Sequence, residues 1–387
     1  MSLNPQGKTV LLVNGADRQT LPLARGFRAL GCSVATLNCS RLDLGYASRY
    51  PTQRILDPSI TDETKRLQAV MRIVREGRYD FIVPTSDDTA ELLSLNKQEL
   101  ERYCRVGVVE PELFYMAYNK QKTMQVCMEH GIPCPKTYAS VQSPDELPLA
   151  QMQYPVVVKP CSSFGSIGFR RVDTAEALRA LLMQLKSDLP DYVIQEYIPQ
   201  TDLQYEAAMF VDEKGEIKTA LVFSKNRWYP VDGGSSTMNE TVQRPDIVQT
   251  CTRLLKQIGW RGAADIDLIM DPRDGMAKVM EINPRVSGSV KILFEAGVDI
   301  ARQMLELAFH EPVTPQLSYQ SGRRLRCMHT DLLWLLQSKE RFSARPSWFD
   351  FTRTADQIFS IRDPWPWFTF SVQAVKKYRR EMKKRER

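Results

Sequence analysis

The first third of the chain alternates short apolar runs with stretches whose apolar residues recur at helical spacing. Three apolar runs predict buried strands: Val10–Val13, Ser33–Leu37 and Phe81–Val83. Three intervening or following segments predict helices: Leu21–Leu30, Thr61–Arg75 and Asp88–Leu95. Gly31 and Gly77 are placed to end the first two helices. Because strands and helices alternate, we expect a parallel sheet covered on both faces.

The pattern changes in the middle of the chain to strands joined by glycine-containing turns. Asn119 is placed to cap a helix that runs to His130 and ends before Gly131, and this helix is expected to open a second domain. The predicted strands are Val156–Lys159, Val193–Tyr197, Tyr205–Val211, Ile217–Phe223, Ala264–Met270 and Ala277–Ile282. Helices are expected near Ile247–Ile258 and Ile300–Phe309. We therefore expect a mainly antiparallel sheet with few helices.

Charge is concentrated at one end of the chain. The 387 residues include 52 Lys and Arg and 46 Asp and Glu, and residues 376–387 alone carry 8 basic and 2 acidic side chains. The remainder is therefore neutral, which argues against a folded basic face for nucleic acid. The preceding aromatic residues Trp365, Trp367, Phe368 and Phe370 make a weak contact with an anionic membrane one hypothesis for this tail. The alternative is a capping helix with a solvated end.

The cysteine and histidine content bears on the redox compartment and on metal binding. The eight cysteines are scattered without a C-x-x-C pair, which favours reduced thiols and a cytoplasmic location over a disulfide framework. Three histidines make a histidine-rich zinc site improbable. We expect neither a signal peptide nor a membrane span.

Polar residues alternate along two predicted strands that flank the turn Asp271–Gly275. On the first strand Asp265 and Asp267 share a side, and on the second Glu281 and Asn283 do, with Arg285 continuing that side. The opposite face, which includes Met280 and Ile282, is expected to be apolar. Carboxylate and amide oxygens without Cys or His favour magnesium bridged to phosphates. A solvated hairpin face is the alternative interpretation.

A second candidate site follows the apolar strand that ends at Lys159. The loop behind it, Ser162–Gly168, is rich in serine and glycine, which lets backbone N–H groups approach an anion closely. No Walker sequence is present, and the turn Asn14–Asp17 after the first strand lacks the G-x-G-x-x-G pattern of dinucleotide-binding folds. The strand at Tyr192 is broken by Pro199, as in a hinge that pairs with an adenine rim.

These sequence segments, in this order, resemble the pattern of the ATP-grasp superfamily. The phrase Glu281–Ile–Asn–Pro–Arg285 with Ser287–Gly–Ser289 is the most specific part of the resemblance, which covers residues 119–311. It implies a Rossmann-like N-terminal domain followed by an ATP-grasp domain, an α/β and α+β chain overall. The implied boundaries are 1–118, 119–198 and 199–312, with a C-terminal extension at 313–387.

The resemblance also implies site residues. Implied ATP contacts are Lys120, Lys159, Ser162, Ser163, Gly165, Ser166, Gly168, Glu196, Tyr197, Ile198 and Glu206. Implied metal ligands are Asp267, Glu281 and Asn283, and the implied catalytic residues are Arg285 and Lys159. The implied substrate residues are Lys225, Arg227, Ser235, Ser236, Thr237, Arg285, Ser287 and Gly288. This sequence departs from the family pattern in three ways. Asp267 stands where many relatives carry glutamate or glutamine, the lid has fewer glycines than in the carboxylase branch, and Glu206 lies late after the hinge.

The function implied is ATP-dependent carboxylate–amine ligation. A substrate carboxylate takes the γ-phosphoryl group of ATP, and an amine then displaces phosphate from the acyl phosphate, which requires no protein nucleophile. ATP and Mg²⁺, or Mn²⁺ in its place, are the expected cofactors, and small-molecule acids and amines are the expected partners. A homodimer is the commonest expectation for a soluble oligomer. Two alternatives are phosphorylation of bicarbonate, as in carboxylases and carbamoyl phosphate synthases, and an ATP-binding sensor without catalysis.

Overall fold

The N-terminal part of the chain is a parallel sheet flanked by helices. The structure, a computed structural model, describes residues 4–138, 143–162, 168–200, 204–231 and 234–374. The first five strands are β1 (Thr9–Val13), β2 (Ser33–Asn38), β3 (Gln53–Leu56), β4 (Phe81–Pro84) and β5 (Arg105–Val106). They are all parallel, in the order β3-β2-β1-β4-β5. The parallel sheet predicted from the alternating pattern is confirmed.

Seven helices accompany and follow these strands. They are α1 (Thr20–Ala29), α2 (Leu44–Ala47), α3 (Glu63–Glu76), α4 (Asp87–Leu95), α5 (Lys97–Leu100), α6 (Pro111–Tyr118) and α7 (Lys120–Glu129). Asn119 caps α7 as predicted, since its side chain accepts a hydrogen bond from the Lys122 N–H at 3.1 Å. The start of α7 is therefore fixed, and with it the position of Lys120.

The next segment folds into a small antiparallel sheet. Its strands are β6 (Thr137–Tyr138), β7 (Val156–Pro160), β8 (Arg170–Val172) and β9 (Tyr192–Glu196), in the order β6-β9-β7-β8. Helix α8 (Ala175–Leu185) covers one face through Leu178 and Leu182, which pack with Val156 and Val158. This unit carries Lys159 on β7.

A larger sheet of seven strands holds the remaining polar candidates. Its strands are β10 (Gln204–Val211), β11 (Ile217–Tyr229), β12 (Ser235–Val242), β13 (Gly262–Met270), β14 (Ala277–Asn283), β15 (Arg324–Arg326) and β16 (Thr354–Asp356). Their order is β14-β13-β10-β11-β12-β15-β16, antiparallel except for the β15–β16 pair. The associated helices are α9 (Pro245–Ile258), α10 (Lys291–Glu295), α11 (Ile300–Ala308) and α12 (Met328–Gln337), and residues 365–374 are also helical. Short 3₁₀ helices span Pro58–Thr61, Pro144–Glu146, Leu149–Gln151 and Lys186–Asp191.

The predicted alternation on the β13–β14 pair holds except at one residue. Ile266 and Ile282 face the core, as expected. However, the register shifts between Asp267 and Leu268, so that Glu281 pairs with Asp267 while Val279 pairs with Leu268. This bulge places Met280 on the wall of the polar cleft. The prediction that Met280 lies on the apolar face was wrong for this reason.

The C-terminal extension is built into the fold. Strand β15 pairs with β12, and Arg25 of α1 forms an ion pair with Asp363 at 3.2 Å. Ile358 packs against Leu21 and Leu44 of the N-terminal part. The extension therefore links the first and last thirds of the chain around the large sheet. No helix among the described residues is long and apolar enough to cross a membrane.

Candidate active site

Three carboxylates form a row across adjacent strands of the large sheet. Glu206 on β10 pairs in register with Asp267 on β13, which pairs in turn with Glu281 on β14. Neighbouring side chains in such a row lie about 5 Å apart at their Cβ atoms. Burial and repulsion from the two glutamates raise the pKa of Asp267, although Lys225 opposes the shift. The row therefore needs positive charge to stay ionised.

Two lysines supply part of that charge. The Lys225 Nζ lies 3.0 Å from Glu206 Oε2 and also contacts Asp267. The Lys120 Nζ lies 3.2 Å from Glu281 Oε2. Burial opposes the charge of Glu281, but Lys120 and Lys159 outweigh it and lower the pKa of this carboxyl. The predicted ATP contacts Lys120 and Glu206 and the predicted metal ligands Asp267 and Glu281 are thus brought together.

Lys159 lies next to this row, and its pKa is lowered whereas that of Lys225 is raised. It is 9% exposed, and burial lowers its pKa to about 8. Attraction to Glu281 opposes this shift, and repulsion from Lys120 adds to it. A bound triphosphate would restore the full positive charge of such a lysine, because an anion close to an ammonium group favours its charged form.

Arg285 is held at the cleft by the N-terminal domain. Its Nη2 donates to Asp87 Oδ2 at 2.6 Å, and Asp87 is the first residue of α4. Burial opposes the Arg285 charge, but Asp87 and Asp265 outweigh it and raise its pKa. Asp265 accepts a hydrogen bond from the Ser287 N–H, which fixes the turn that follows Arg285. The predicted catalytic arginine is therefore charged and oriented, with 11% of its side chain exposed to the cleft.

These residues line one large cleft of about 1480 Å³. Its walls come from all four parts of the chain, including N-terminal residues between 14 and 19 and at 86–88, and residues of the extension between 334 and 345. A cavity of this size exceeds the usual range of about 300–1,000 Å³ for one small ligand. There is room for a nucleotide together with at least one further substrate.

The adenine hinge is only partly consistent with its predicted role. The Glu196 carboxylate pairs with Arg273 at 2.9 Å, and the Tyr197 ring lies under Arg171. The backbone N–H of Glu196 donates to Lys136 and that of Tyr197 donates to Pro155. Ile198 is buried. An adenine contact must therefore use the carbonyl side of this segment or the Ile198 N–H.

The predicted phosphate lid falls partly outside the described residues. Ser163, Gly165 and Ser166 are not among them, so their contacts stay predictions. Ser162 and Gly168 at the two ends are exposed. Gly168 adopts φ +75°, and a Cβ there would lie 2.8 Å from the Pro160 ring, so glycine is needed at this end of the loop. Phe169, which the sequence pattern did not single out, lines the cleft.

The substrate candidates divide into two groups. Those on the cleft wall are Lys225, Ser235, Ser236, Arg285, Ser287 and Gly288. The other two, Arg227 and Thr237, are each 1% exposed and bond to Asp331, with Arg227 Nε at 2.8 Å and Thr237 Oγ1 at 2.8 Å from Asp331 Oδ1. Helix α12 covers both side chains. The structure therefore places them in a structural cluster and corrects their assignment as substrate contacts.

The donor set fits magnesium held jointly with phosphates. Asp267, Glu281 and Asn283 supply hard oxygen ligands on one wall, and Glu206 Oε1 is buried with no hydrogen-bond partner among the described residues. Within those residues, no three acidic, histidine or cysteine side chains converge closely enough to hold a metal alone. Mg²⁺ commonly takes one or two carboxylates and completes its shell with phosphates and water. The residues present match that arrangement.

Comparison with known proteins identifies a domain of this chain and its fold. The family model described as an ATP-grasp domain matches residues 117–289, which contain Lys120, Lys159 and the whole carboxylate row. The chain therefore contains an ATP-grasp domain. The superfamily predicted from the Glu281–Arg285 phrase is thereby confirmed.

Three proteins place this ATP-grasp chain among its relatives. A D-aspartate ligase of Enterococcus faecium is 27% identical over 330 residues, covering 77% of this chain and 76% of that protein. A Campylobacter jejuni biotin carboxylase, solved with an ATP compound, superposes with a TM-score of 0.70 at 17% identity, covering 83% and 75% of the two chains. An L-amino acid ligase of Bacillus licheniformis gives 0.62 at 16% identity, with 82% and 79% covered. The two structures share the fold of this chain over more than four fifths of its length.

Proposed function

We propose that this ATP-grasp enzyme is a carboxylate–amine ligase that activates a substrate acid as an acyl phosphate and couples it to an amine. The prediction of an ATP-dependent ligase that forms C–N bonds agrees with the D-aspartate ligase and the L-amino acid ligase among its relatives. The observation that carries the proposal is the carboxylate row facing Lys120, Lys159 and Arg285 across one cleft. Amino acids are the substrate class that we infer.

Each side chain has a distinct proposed role. Lys120 and Lys159 contact the phosphates, and Asp267, Glu281 and Asn283 hold Mg²⁺, with Mn²⁺ as a substitute. When bound, the metal neutralises charge on the transferring phosphoryl group. Arg285, oriented by Asp87, stabilises the developing charge on the acyl phosphate and the leaving phosphate. The protein thus acts by positioning and charge neutralisation.

The carboxylase alternative remains a second candidate because the biotin carboxylase shares the fold. That similarity concerns architecture only. The cleft itself contains carboxylates from the N-terminal domain, Asp17, Asp87 and Asp88, in addition to Arg285. A wall with both acidic and basic groups suits an amino acid, which carries an ammonium and a carboxylate, better than bicarbonate alone.

The experiment is a substrate screen. Purified protein with ATP and Mg²⁺ is incubated with every pair drawn from D- and L-amino acids, hydroxy acids and amines, and with bicarbonate alone. The proposal expects phosphate and ADP release that requires both an acid and an amine, with a new amide found by mass spectrometry. Release with bicarbonate in the absence of an amine supports the carboxylase alternative. ATP binding without ADP formation across the whole screen supports the sensor alternative.

We further propose the chain division at 1–118, 119–198, 199–312 and 313–387, a cytoplasmic location and a homodimer. The described cysteines are free, in keeping with a reducing compartment. The tail hypothesis concerns residues 376–387, outside the described residues. Trp365 and Phe368 before it are 67% and 51% exposed, which supports weak contact with an anionic membrane. Cosedimentation with anionic vesicles should then disappear when residues 376–387 are deleted, and unchanged cosedimentation contradicts the hypothesis.

A further inference from the structure

Arg18 is a cleft residue whose guanidinium bonds to a neutral side chain. It attracts the adjacent Asp17 carboxylate but forms no ion pair with it. It follows β1 in the N-terminal domain and lines the same cleft as Arg285. Its Nη1 donates to the side-chain oxygen of Gln357 at 2.5 Å, and this partner is neutral. No carboxylate lies within ion-pair distance of Arg18 among the residues that the structure covers. By contrast, Arg25 pairs with Asp363, and Arg285 pairs with Asp87.

The surroundings of Arg18 fix its position. Gln357 lies in the C-terminal extension, is 2% exposed, and its backbone N–H donates to the Arg326 carbonyl at 2.7 Å. On the other side, a Cβ at Gly288 would lie 3.3 Å from Arg18 Nη2, so the glycine leaves room for the guanidinium. Arg18 is thus held between the extension and the turn that follows Arg285. In that turn, Gly288 lies three residues after Arg285.

The hydrogen-bond donors of the Arg18 guanidinium indicate which kind of ligand it binds. A guanidinium offers five N–H donors, and one of them is used by Gln357. Its planar fork suits a carboxylate bound by two parallel hydrogen bonds. Arg285 is already assigned to the reacting phosphoryl group, so Arg18 is available for a different anionic group in the same cleft.

We propose that Arg18 binds a substrate carboxylate other than the one that is phosphorylated, and that Gln357 is its positioning residue. This inference rests on the proposed ligase function and adds a specificity residue to it. The carboxylate has two sources: a second carboxylate on the activated acid, as in aspartate, or the carboxylate of an amino acid that serves as the amine. A neutral partner keeps Arg18 in place without competing for its charge.

The first arm of the test measures equilibrium binding and needs no turnover. Calorimetry compares D- and L-aspartate with D- and L-asparagine, in which the second carboxylate is replaced by an amide, and with glycine. Wild type is expected to bind at least one of these amino acids. Arg18→Gln should weaken that binding roughly 10- to 100-fold, as for loss of a hydrogen-bonded charged contact, and change the Kd of MgATP less than twofold. Binding that the variant leaves unchanged, or no binding by wild type, overturns the inference.

The second arm identifies the source of the carboxylate. The test uses a productive pair from the substrate screen. Arg18→Gln should raise KM for the acid if the bound carboxylate is the second one of the activated acid, and KM for the amine if it belongs to the amine substrate. The kcat should be less affected in both cases. Unchanged KM for both substrates contradicts the inference while leaving the ligase function intact. If no pair is turned over, the ligase function fails, and the binding arm alone decides the role of Arg18.

Two further variants separate recognition from folding. Gln357→Glu keeps the size of the side chain but gives Arg18 an ionic partner. It should therefore weaken binding of the same substrate while the melting temperature stays the same or rises. Arg18→Lys should restore part of the lost affinity. Arg41→Gln changes an exposed arginine of the N-terminal domain and serves as the matched control, with no effect on either substrate.

Discussion

Two ion clusters are built on side chains two residues apart on strand β11, Lys225 and Arg227, and they differ in what covers them. Lys225 contacts Glu206 and Asp267 and faces the cleft. Arg227 pairs with Asp331, which also lies 3.2 Å from Arg326 Nε. All three side chains of this second cluster are at most 1% exposed.

The difference separates a site from a structural contact. In the cleft cluster three carboxylates are in register, and one of their oxygens, Glu206 Oε1, has no partner among the described residues. In the Arg227 cluster the Asp331 carboxylate accepts hydrogen bonds from Arg227 and Thr237 and forms an ion pair with Arg326. The Arg227 guanidinium also lies over the Trp334 ring at 5.0 Å. The first cluster opens on the cleft and has access to ligand, whereas the second is enclosed.

The largest expected effect is on stability, in the enclosed cluster. Asp331→Ala leaves two buried arginines without a counter-charge and should lower the free energy of unfolding by about 3–5 kcal/mol. Urea unfolding followed by circular dichroism measures this change. Asp173→Ala breaks an exposed pair with Arg171 and should cost less than about 1 kcal/mol. A similar small cost for Asp331→Ala would show that the cluster is not a structural anchor.

The next effect concerns activity, in the cleft cluster. Glu281→Gln keeps the shape of the side chain but removes a proposed metal ligand, so turnover of ATP should fall about 100-fold or more, comparable to loss of one transition-state contact. The midpoint of urea unfolding should move far less than for Asp331→Ala. Glu112→Gln on the exposed side of α6 is the control. Full ATP turnover by Glu281→Gln would contradict the metal assignment.

The smallest effect concerns the acidic wall of the cleft. Burial, with a smaller contribution from Asp88, raises the pKa of Asp17 to about 6. A raised carboxyl pKa means that the contribution of Asp17 to stability is full below pH 4 and is lost as the pH rises through 6. Asp17→Asn should therefore raise the free energy of unfolding at pH 7 by about 1–3 kcal/mol and leave it unchanged near pH 4. An equal difference at both pH values would contradict this cause.

Local patterns predicted most of the fold. The buried strands β1, β2 and β4 were visible as apolar runs, and the Asn119 cap was visible from its position before α7. Strand β3 was not visible because three of its four residues are exposed and only two are apolar. Strands β5 and β15 were not visible because they have two and three residues. Such short strands are defined by their neighbours in the sheet.

The site was predictable only where its residues lie on one local motif. Glu281 and Asn283 alternate along a single strand, so spacing alone placed them on one face. The partner of Arg227 lies 104 residues later in the chain, and that of Arg285 lies 198 residues earlier. Nothing near an arginine in sequence tells whether a distant carboxylate will neutralise it. For this reason Arg227 was assigned to substrate, and Asp87 and Arg18 were not identified.

The central claim is that the cleft holds a triphosphate against an acid and phosphorylates that acid. With the best acid and amine from the screen, the acid is labelled with ¹⁸O in its carboxylate, and the released phosphate is analysed by mass spectrometry. An acyl phosphate intermediate transfers one carboxylate oxygen to phosphate, so we expect one ¹⁸O per phosphate released. Product formation with unlabelled phosphate would contradict the account.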